Sequence, residues 1–599
     1  MMSVTPLLYA LTGAGVVSGG LLLAQPSDPA PADFDPLLQA NGSFCVAGEK
    51  PGQLLGKYVK LAAAKTEVGP FPTDAGQRAR RDAGPPPLWD NLGTLSFPVT
   101  TGNKLAQRYF DQGLRLAYAF NHAEAARAFR HAQRLDPGCA MCYWGEALVL
   151  GPNINAPMDP AEVARAVARI ERAQFISRQV SPKERDLIAA LAQRYSADPK
   201  ADRAKLDAAY AKAMGEVAAR YPQDDDIALL HAEALMDLSP WDYWDAGGAR
   251  AKGNTAQIVA TLEKVLRRKP DHPGAIHYYI HMVEASNKPA RAAPYADRLG
   301  AAMPGAGHLV HMPFHIYYRI GRYQEAVEAN RRAVAADEAY IAEAAPDGIY
   351  PLAYYPHNIH SLMTSAQMAG DGKSAVEAAE KLAQVVSYEV GRDIAWVQPI
   401  LAAPYFTHAQ FSSPEVTLAV PDPGDALPYV KAMWHYARGA AQAMAGNADA
   451  ARAEVDAMRT LAKQDYAGLV EAGVPAPDVI ALAQHVVQGR IAQAAGNWSE
   501  ARKEFERAVA IEDRLTYSEP PYWYYPVRQS LGAVLLAAGK PKEAEAVFRQ
   551  SLLRAPNNGW ALHGLAATYE KLGKTASAKT AREQFKRAWV GPAPDLARL

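Results

Sequence analysis

From Leu105 onward, apolar residues recur with a helical spacing of three to four, whereas the residues before it carry no sustained helical period. Met1 to Ala24 is almost wholly apolar and small, and it turns abruptly into the Pro/Asp-rich run QPSDPAPADFD. That is the pattern of the apolar core and exit of a secretory signal, although no Lys or Arg precedes the apolar stretch, which leaves an uncleaved N-terminal anchor as the competing reading. Residues 25–104 are rich in Pro, Gly and Asp, including Gly84 to Pro87, and read as a loop-rich extension. No later segment is apolar enough to span a bilayer. The expectation is an exported protein, periplasmic or secreted, held at a membrane only if the N-terminal segment is uncleaved.

A chain of 599 residues is too long for one compact core, so it divides into domains or forms an elongated array built from neighbour contacts. Ala-rich stretches with interspersed Arg, Glu, Leu and Lys favour helix, and strand-type runs of Val, Ile and Thr are scarce. Between Arg108 and Pro137, Tyr109, Gly113, Ala125, Phe129, Ala132 and Pro137 stand at fixed spacings. Turn glycines Gly321, Gly370, Gly446, Gly496, Gly539 and Gly573 are each followed, five residues on, by Ala326, Ala375, Ala451, Ala501, Ala544 and Ala578. Pro270 and Pro304 share the same 34-residue frame.

These spacings resemble the tetratricopeptide repeat over roughly Leu105 to Trp589, with a poorer fit at 150–260, 340–355 and 390–430. The resemblance implies an all-α, right-handed α-solenoid of helix-turn-helix repeats, in which small residues let paired helices approach and stacking supplies the core. The expected organisation is a signal-like segment at 1–24, the loop-rich extension at 25–104, a first solenoid at 105–390, an irregular connection at 391–430 and further repeats at 431–599.

Lys and Arg together number 63, as do Asp and Glu, and no basic stripe with interleaved aromatics is present, so nucleic acid is not expected as a partner. No Gly-rich phosphate loop, nucleophile elbow or His-Glu-x-x-His helix occurs, which withdraws support from standard nucleotide and hydrolase chemistry. Of the three cysteines, Cys139 and Cys142 have the spacing of redox or metal motifs, while a bridge from Cys45 to one of them fits an exported protein equally well.

Seven of the fifteen histidines fall between His277 and His360. With repeats starting at Pro273, Gly307 and Pro356, the fifth position of the first helix is His277, His311 and His360 in turn; the ninth is His281, His315 and Thr364; the second is Gly274, His308 and His357. The resemblance implies that the second, fifth, ninth and twelfth positions face the concave groove, so all seven imidazoles would look into one cavity. Residues four apart on a helix are separated by about 6 Å along its axis, and packed helices lie about 8–10 Å apart, close enough for neighbours to share an ion. Imidazole suits a transition metal, copper or zinc first, with iron possible. His277, His281, His311, His315 and His360 are the principal candidate ligands, and His308 and His357 are extra ligands or supports. Glu284, at the twelfth position, is the candidate catalytic general base or a further ligand.

Trp144 occupies a fifth position too, but core packing is the simpler account. The run Pro520 to Pro526 (PPYWYYP), preceded by Glu519, reads as a cap or inter-repeat core, with a binding wall or lid as the alternative. Two functions from different classes follow. One is a metalloprotein, acting as a metal-dependent oxidoreductase or hydrolase on a small-molecule substrate or else storing or delivering metal. The other is a scaffold binding a peptide or protein in the groove with no metal.

Overall fold

In a computed structural model, residues 84–596 are described, apart from Pro199, Ala246 and Asp347. The described residues form helices packed in series, each on its neighbours, with no β-strand and two isolated bridges, Asn153–Ala156 and Trp244–Ala251. Among them, no helix is long and apolar enough to cross a membrane. Met1–Ala24 and Cys45 lie outside the described residues.

The first pair shows how sequence makes a repeat. Asn103 accepts from the N–H groups of Leu105 and Ala106 and starts the helix Lys104–Tyr118. Its buried stripe, Ala106, Tyr109, Phe110, Leu114 and Ala117, recurs at three- and four-residue steps. Asn121 then caps His122–Leu135, which buries Ala125, Ala128, Phe129 and Ala132 against it. Phe129 lies between two glycines: a Cβ at Gly113 would stand 2.7 Å from its ring, and one at Gly145 2.4 Å. The same arrangement recurs near the far end, where Phe548 lies between Gly532 and Gly564 at 2.7 and 2.2 Å. The six turn glycines named above take φ between 69° and 79°, the left-handed region open to glycine. The alanine five residues after each is fully buried or nearly so.

Two stretches differ from expectation. Within 391–430, the expected irregular connection, Tyr388–Asp393, Val397–Phe411 and Pro414–Leu418 are helices, and Val397–Phe411 continues through Pro404. Proline there removes one backbone bond without ending the helix, because twelve of its fifteen residues are buried against neighbours. The region 150–260 is likewise mainly helical, through Val163–Ile176, Pro182–Ala192, Arg203–Arg220 and Asp225–Met236. Cys139 and Cys142 are bridged to each other, and Trp144 is core, its Nε1–H donating to the Leu187 carbonyl at 3.2 Å.

The array does not stay open. Trp89 Nε1–H donates to Glu343 at 3.1 Å, and the Gly305 N–H donates to the Asn91 carbonyl at 2.9 Å, tying the start of the described chain to the middle repeats. From the other end, the Val590 N–H donates to the Ala369 carbonyl at 2.9 Å, and Asn557 Nδ2 donates to the Gly321 carbonyl at 3.2 Å. Both ends are therefore tied to turns and helix ends of the repeats between Gly305 and Ala369.

The glycine approach is testable. Overpacking costs about 1–3 kcal/mol, more than the roughly 1 kcal/mol alanine gains over glycine in a helix. Gly145→Ala is expected to lower the thermal midpoint followed by circular dichroism, whereas Gly468→Ala, with nothing within 4 Å of the added Cβ, leaves it unchanged or higher.

Candidate metal centre

Three successive hairpins carry the histidines. His277, His281 and Glu284 lie on Pro273–Glu284, every residue of which is buried. His308 and His311 lie on Gly307–His311, and His315 follows on Pro313–Arg319 after a break at Met312. His357 and His360 lie on Tyr355–Ala369, entered through the wider turn Tyr350–Tyr354. All these histidines are buried except His357, which is half-buried.

They sort into two trios. Nitrogen atoms of His277, His281 and His308 lie within 4.8 Å of one another, as do those of His311, His315 and His357. His277 Nε2 is 3.2 Å from His308 Nε2, and His311 Nε2 is 2.9 Å from His315 Nε2. Two nitrogens each roughly 2.0–2.1 Å from a shared ion would stand about 3 Å apart. The trios adjoin, with ring centroids of His281 and His315 5.5 Å apart and those of His308 and His311 6.0 Å apart.

Each trio is braced from behind. His277 Nδ1–H donates to the Tyr118 carbonyl at 2.7 Å, and His311 Nδ1–H donates to Asn330 Oδ1 at 2.6 Å. The Asn330 amide is itself oriented by donating to the Ala326 carbonyl at 2.9 Å. His281 Nδ1–H donates to Glu284 Oε1 at 2.8 Å, and His315 Nδ1 lies 2.8 Å from Glu284 Oε2 and also against Glu519. An acceptor on Nδ1 fixes the tautomer that leaves the Nε2 lone pair pointing inward, the usual support of a metal-bound imidazole. Glu284, His315 and Glu519 form a third close group, but it uses the rear nitrogen of a ring whose Nε2 already belongs to the second trio. His281 Nε2 and His308 Nδ1 are buried without a hydrogen-bond partner, a cost that a bound ion removes.

Glu284 holds one ring of each trio and also accepts from the Tyr517 hydroxyl at 3.1 Å. Burial pushes its carboxyl up, yet His315, Glu519 and His281 outweigh burial and hold it well below the usual range. Desolvation is the main reason that the imidazoles of His277, His308, His311 and His357 sit well below their ordinary value, reinforced by neighbouring rings. Neutral imidazole is the form that offers a lone pair.

His360 stands apart from both trios. Its Nε2 pairs with the Tyr524 hydroxyl at 2.9 Å, and burial alone takes it down to about 3. Several neighbours have no counterpart in the repeat frame. Phe120 packs on His277, His281 and His308 with centroids 4.5, 6.1 and 5.8 Å away. Trp241 meets the His281 ring at 5.1 Å. Phe120 and Trp241 both hold positive φ, 56° and 64°, strained values for such side chains that surrounding structure must enforce. Asn330 could have been suspected, since it interrupts the apolar stripe Tyr323, Ala326, Val327, Ala333, Val334 of its helix. Glu519 belongs to the aromatic segment, which is a wall of the site.

That wall bounds a chamber of about 560 Å³, lined by His281, His308, His315, His357 and His360 on one side. Trp241, Tyr354, Trp396, Pro399, Tyr522 and Tyr524 line the rest, with Glu519 at the junction.

The tetratricopeptide repeat family profile matches residues 535–583. No curated protein matches the chain. Among solved structures, the human IFIT1 dimer with m7Gppp-AAAA is 12 % identical with a TM-score of 0.28, covering 82 % of this chain and 91 % of that one. The APC/C hetero-tetramer Cut9–Hcn1 is 12 % identical at 0.27, covering 81 % and 76 %. Yeast Tom70 is 12 % identical at 0.25, covering 81 % and 90 %.

Replacing Asn330 by the similarly sized leucine leaves the His311 Nδ1–H without its acceptor. Asn330→Leu is expected to cost about 1–3 kcal/mol in denaturant unfolding and to shift the His311 ring-nitrogen resonances. Unchanged resonances would show that Asn330 does not set the tautomer.

Proposed function

We propose that this tetratricopeptide-repeat protein holds a pair of transition-metal ions, one on His277, His281 and His308 and one on His311, His315 and His357. The carrying observation is that His277, His281, His311 and His315 each present a rear nitrogen to a backbone, amide or carboxylate acceptor while their forward nitrogens converge. All-imidazole sets favour copper or zinc over magnesium, calcium or manganese, which prefer oxygen, and contain no thiolate for the softest ions. Three protein ligands per ion leave coordination positions open, as in catalytic rather than structural sites. The chamber adjoins both trios through His281, His308, His315 and His357, which supports a metalloenzyme acting on a small molecule over a store of metal. The apolar Met1–Ala24 stretch is the support for an exported location.

Glu284 acts here as a positioning residue. It reaches one ring of each trio, so its loss disturbs both ions together, and removing such a support typically weakens metal binding about 10–100-fold. The groove-binding alternative has less room, because Phe120, Trp241, Tyr517 and Tyr524 stand against the inward residues.

Elemental analysis of untagged protein is expected to give two ions per chain. His277→Ala and His311→Ala should each retain one, and His360→Ala should retain two. Protein purified and reconstituted with copper or zinc that holds no stoichiometric metal overturns the proposal. In titrations, Glu284→Gln is expected to weaken both binding steps by at least tenfold, whereas a change confined to one step would show that it supports only one trio.

A further inference from the structure

We propose that the chamber beside the trios binds a flat aromatic molecule bearing a hydroxyl group, a simple phenol. The inference rests on the paired-metal reading for the orientation of the hydroxyl but not for the preference of the walls. A volume of about 560 Å³ lies within the range of small-molecule sites and is too small for a folded partner.

Six tryptophan and tyrosine side chains line the walls. Trp241 and Trp396 stand there with Tyr354, Tyr517, Tyr522 and Tyr524, beside aliphatic residues such as Pro399, Ile400, Val470 and Val474. Such surroundings favour an aromatic ring over an aliphatic one of equal size, because offset and edge contacts add about 0.5–1.5 kcal/mol each beyond burial.

The polar ends of the walls are largely committed. Tyr522 donates to the Gly473 carbonyl at 3.0 Å, Tyr524 pairs with His360 at 2.9 Å, and Tyr354 accepts from Asn155 at 3.4 Å. The polar demand of the ligand therefore falls at the histidine side, where its oxygen points.

Charge narrows the class further. No Lys or Arg is among the described residues lining the chamber, so an anionic carboxylate or phosphate finds no counter-ion on the walls. A cationic amine would meet Glu471 and Glu519, but two divalent ions on the histidine side would repel it. With the ions bound, an anion finds its counter-charge there, so charge excludes the cation and leaves the neutral phenol and its phenolate.

The test uses the full chain loaded with zinc, which is redox-inert, with the metal content measured on the same sample. The probe is 4-methylphenol, followed by tryptophan fluorescence and calorimetry. One molecule is expected to bind per chain, with cyclohexanol and benzylamine each at least tenfold weaker. Trp396→Ala is expected to weaken 4-methylphenol at least tenfold. Trp396 is half-buried, and circular dichroism verifies that the variant folds. As a second measurement, saturation-transfer NMR on the unaltered protein locates ligand contacts with aromatic protons.

Equal binding of cyclohexanol and 4-methylphenol overturns the proposal, as does no binding to protein shown to carry two zinc ions. If the protein takes up no zinc yet still selects 4-methylphenol over cyclohexanol, the chamber preference stands and the metal reading falls. Zinc uptake without 4-methylphenol binding leaves the metal reading intact and removes this one.

Discussion

A carboxylate shut away from water must find its partners inside the protein, and that constraint organises the centre of this one. Glu284 is fully buried, and three separate segments converge on it: His281 from its own helix and Tyr517 from far along the chain donate to it, and His315 from the next hairpin lies against it. An unpaired buried charge would cost several kcal/mol. The hairpins at 273 and 307 and the aromatic segment near 519 are thereby fixed relative to one another. Placing Glu284 at the last position of Pro273–Glu284 adds a second demand, because its carbonyl is among those a helix end leaves unpaired. Arg319 meets it by donating to that carbonyl, and the same guanidinium lies 5.2 Å above the Tyr517 ring. One residue position thus ties a helix end, two metal-type trios and a wall together.

The repeat architecture makes such a centre possible and also explains why it is enclosed. In an open solenoid the inward positions of successive first helices line a groove exposed to water. Here Phe120, Trp241, Tyr517 and Tyr524 pack against the inward residues of the repeats at 273–370, so inward positions are interior positions. Imidazoles that would be ordinary groove residues become desolvated, and desolvation is the leading cause of their lowered basicity. Neutral rings in a closed space with oriented lone pairs are a ligand set. Exposed rings on the same frame would gain protons more readily and lose that orientation to solvent.

Much of this was legible along the chain, for a reason rooted in periodicity. The frame that sets Gly321, Gly370 and Gly539 at turns also places His277, His311 and His315 on inward faces, because both follow from local helical geometry. The division of the rings into two trios was not legible, since it depends on how three separate hairpins pack: His308 joins His277, and His357 joins His311 and His315. His360 shares its frame position with His277 and His311, yet Tyr524, 164 residues away, takes its nitrogen. Contacts across such separations leave no periodic trace. Asn330 is the intermediate case: a lone amide in an apolar stripe is visible, but its partner is not. Proline misled at 391–430, where packing on all sides sustains a helix through Pro404.

The enclosure also bears on chemistry. The strained backbone at Phe120 and Trp241 accompanies rings that both lie against His281, at centroid distances of 6.1 and 5.1 Å. A site that merely stored metal would gain nothing from an adjoining chamber walled by tryptophan and tyrosine, and exchange would favour exposed ligands. Two features found here support the proposed metal centre: rings braced from behind, and a chamber in front of their forward nitrogens. Under that proposal, such an arrangement fits reaction better than sequestration.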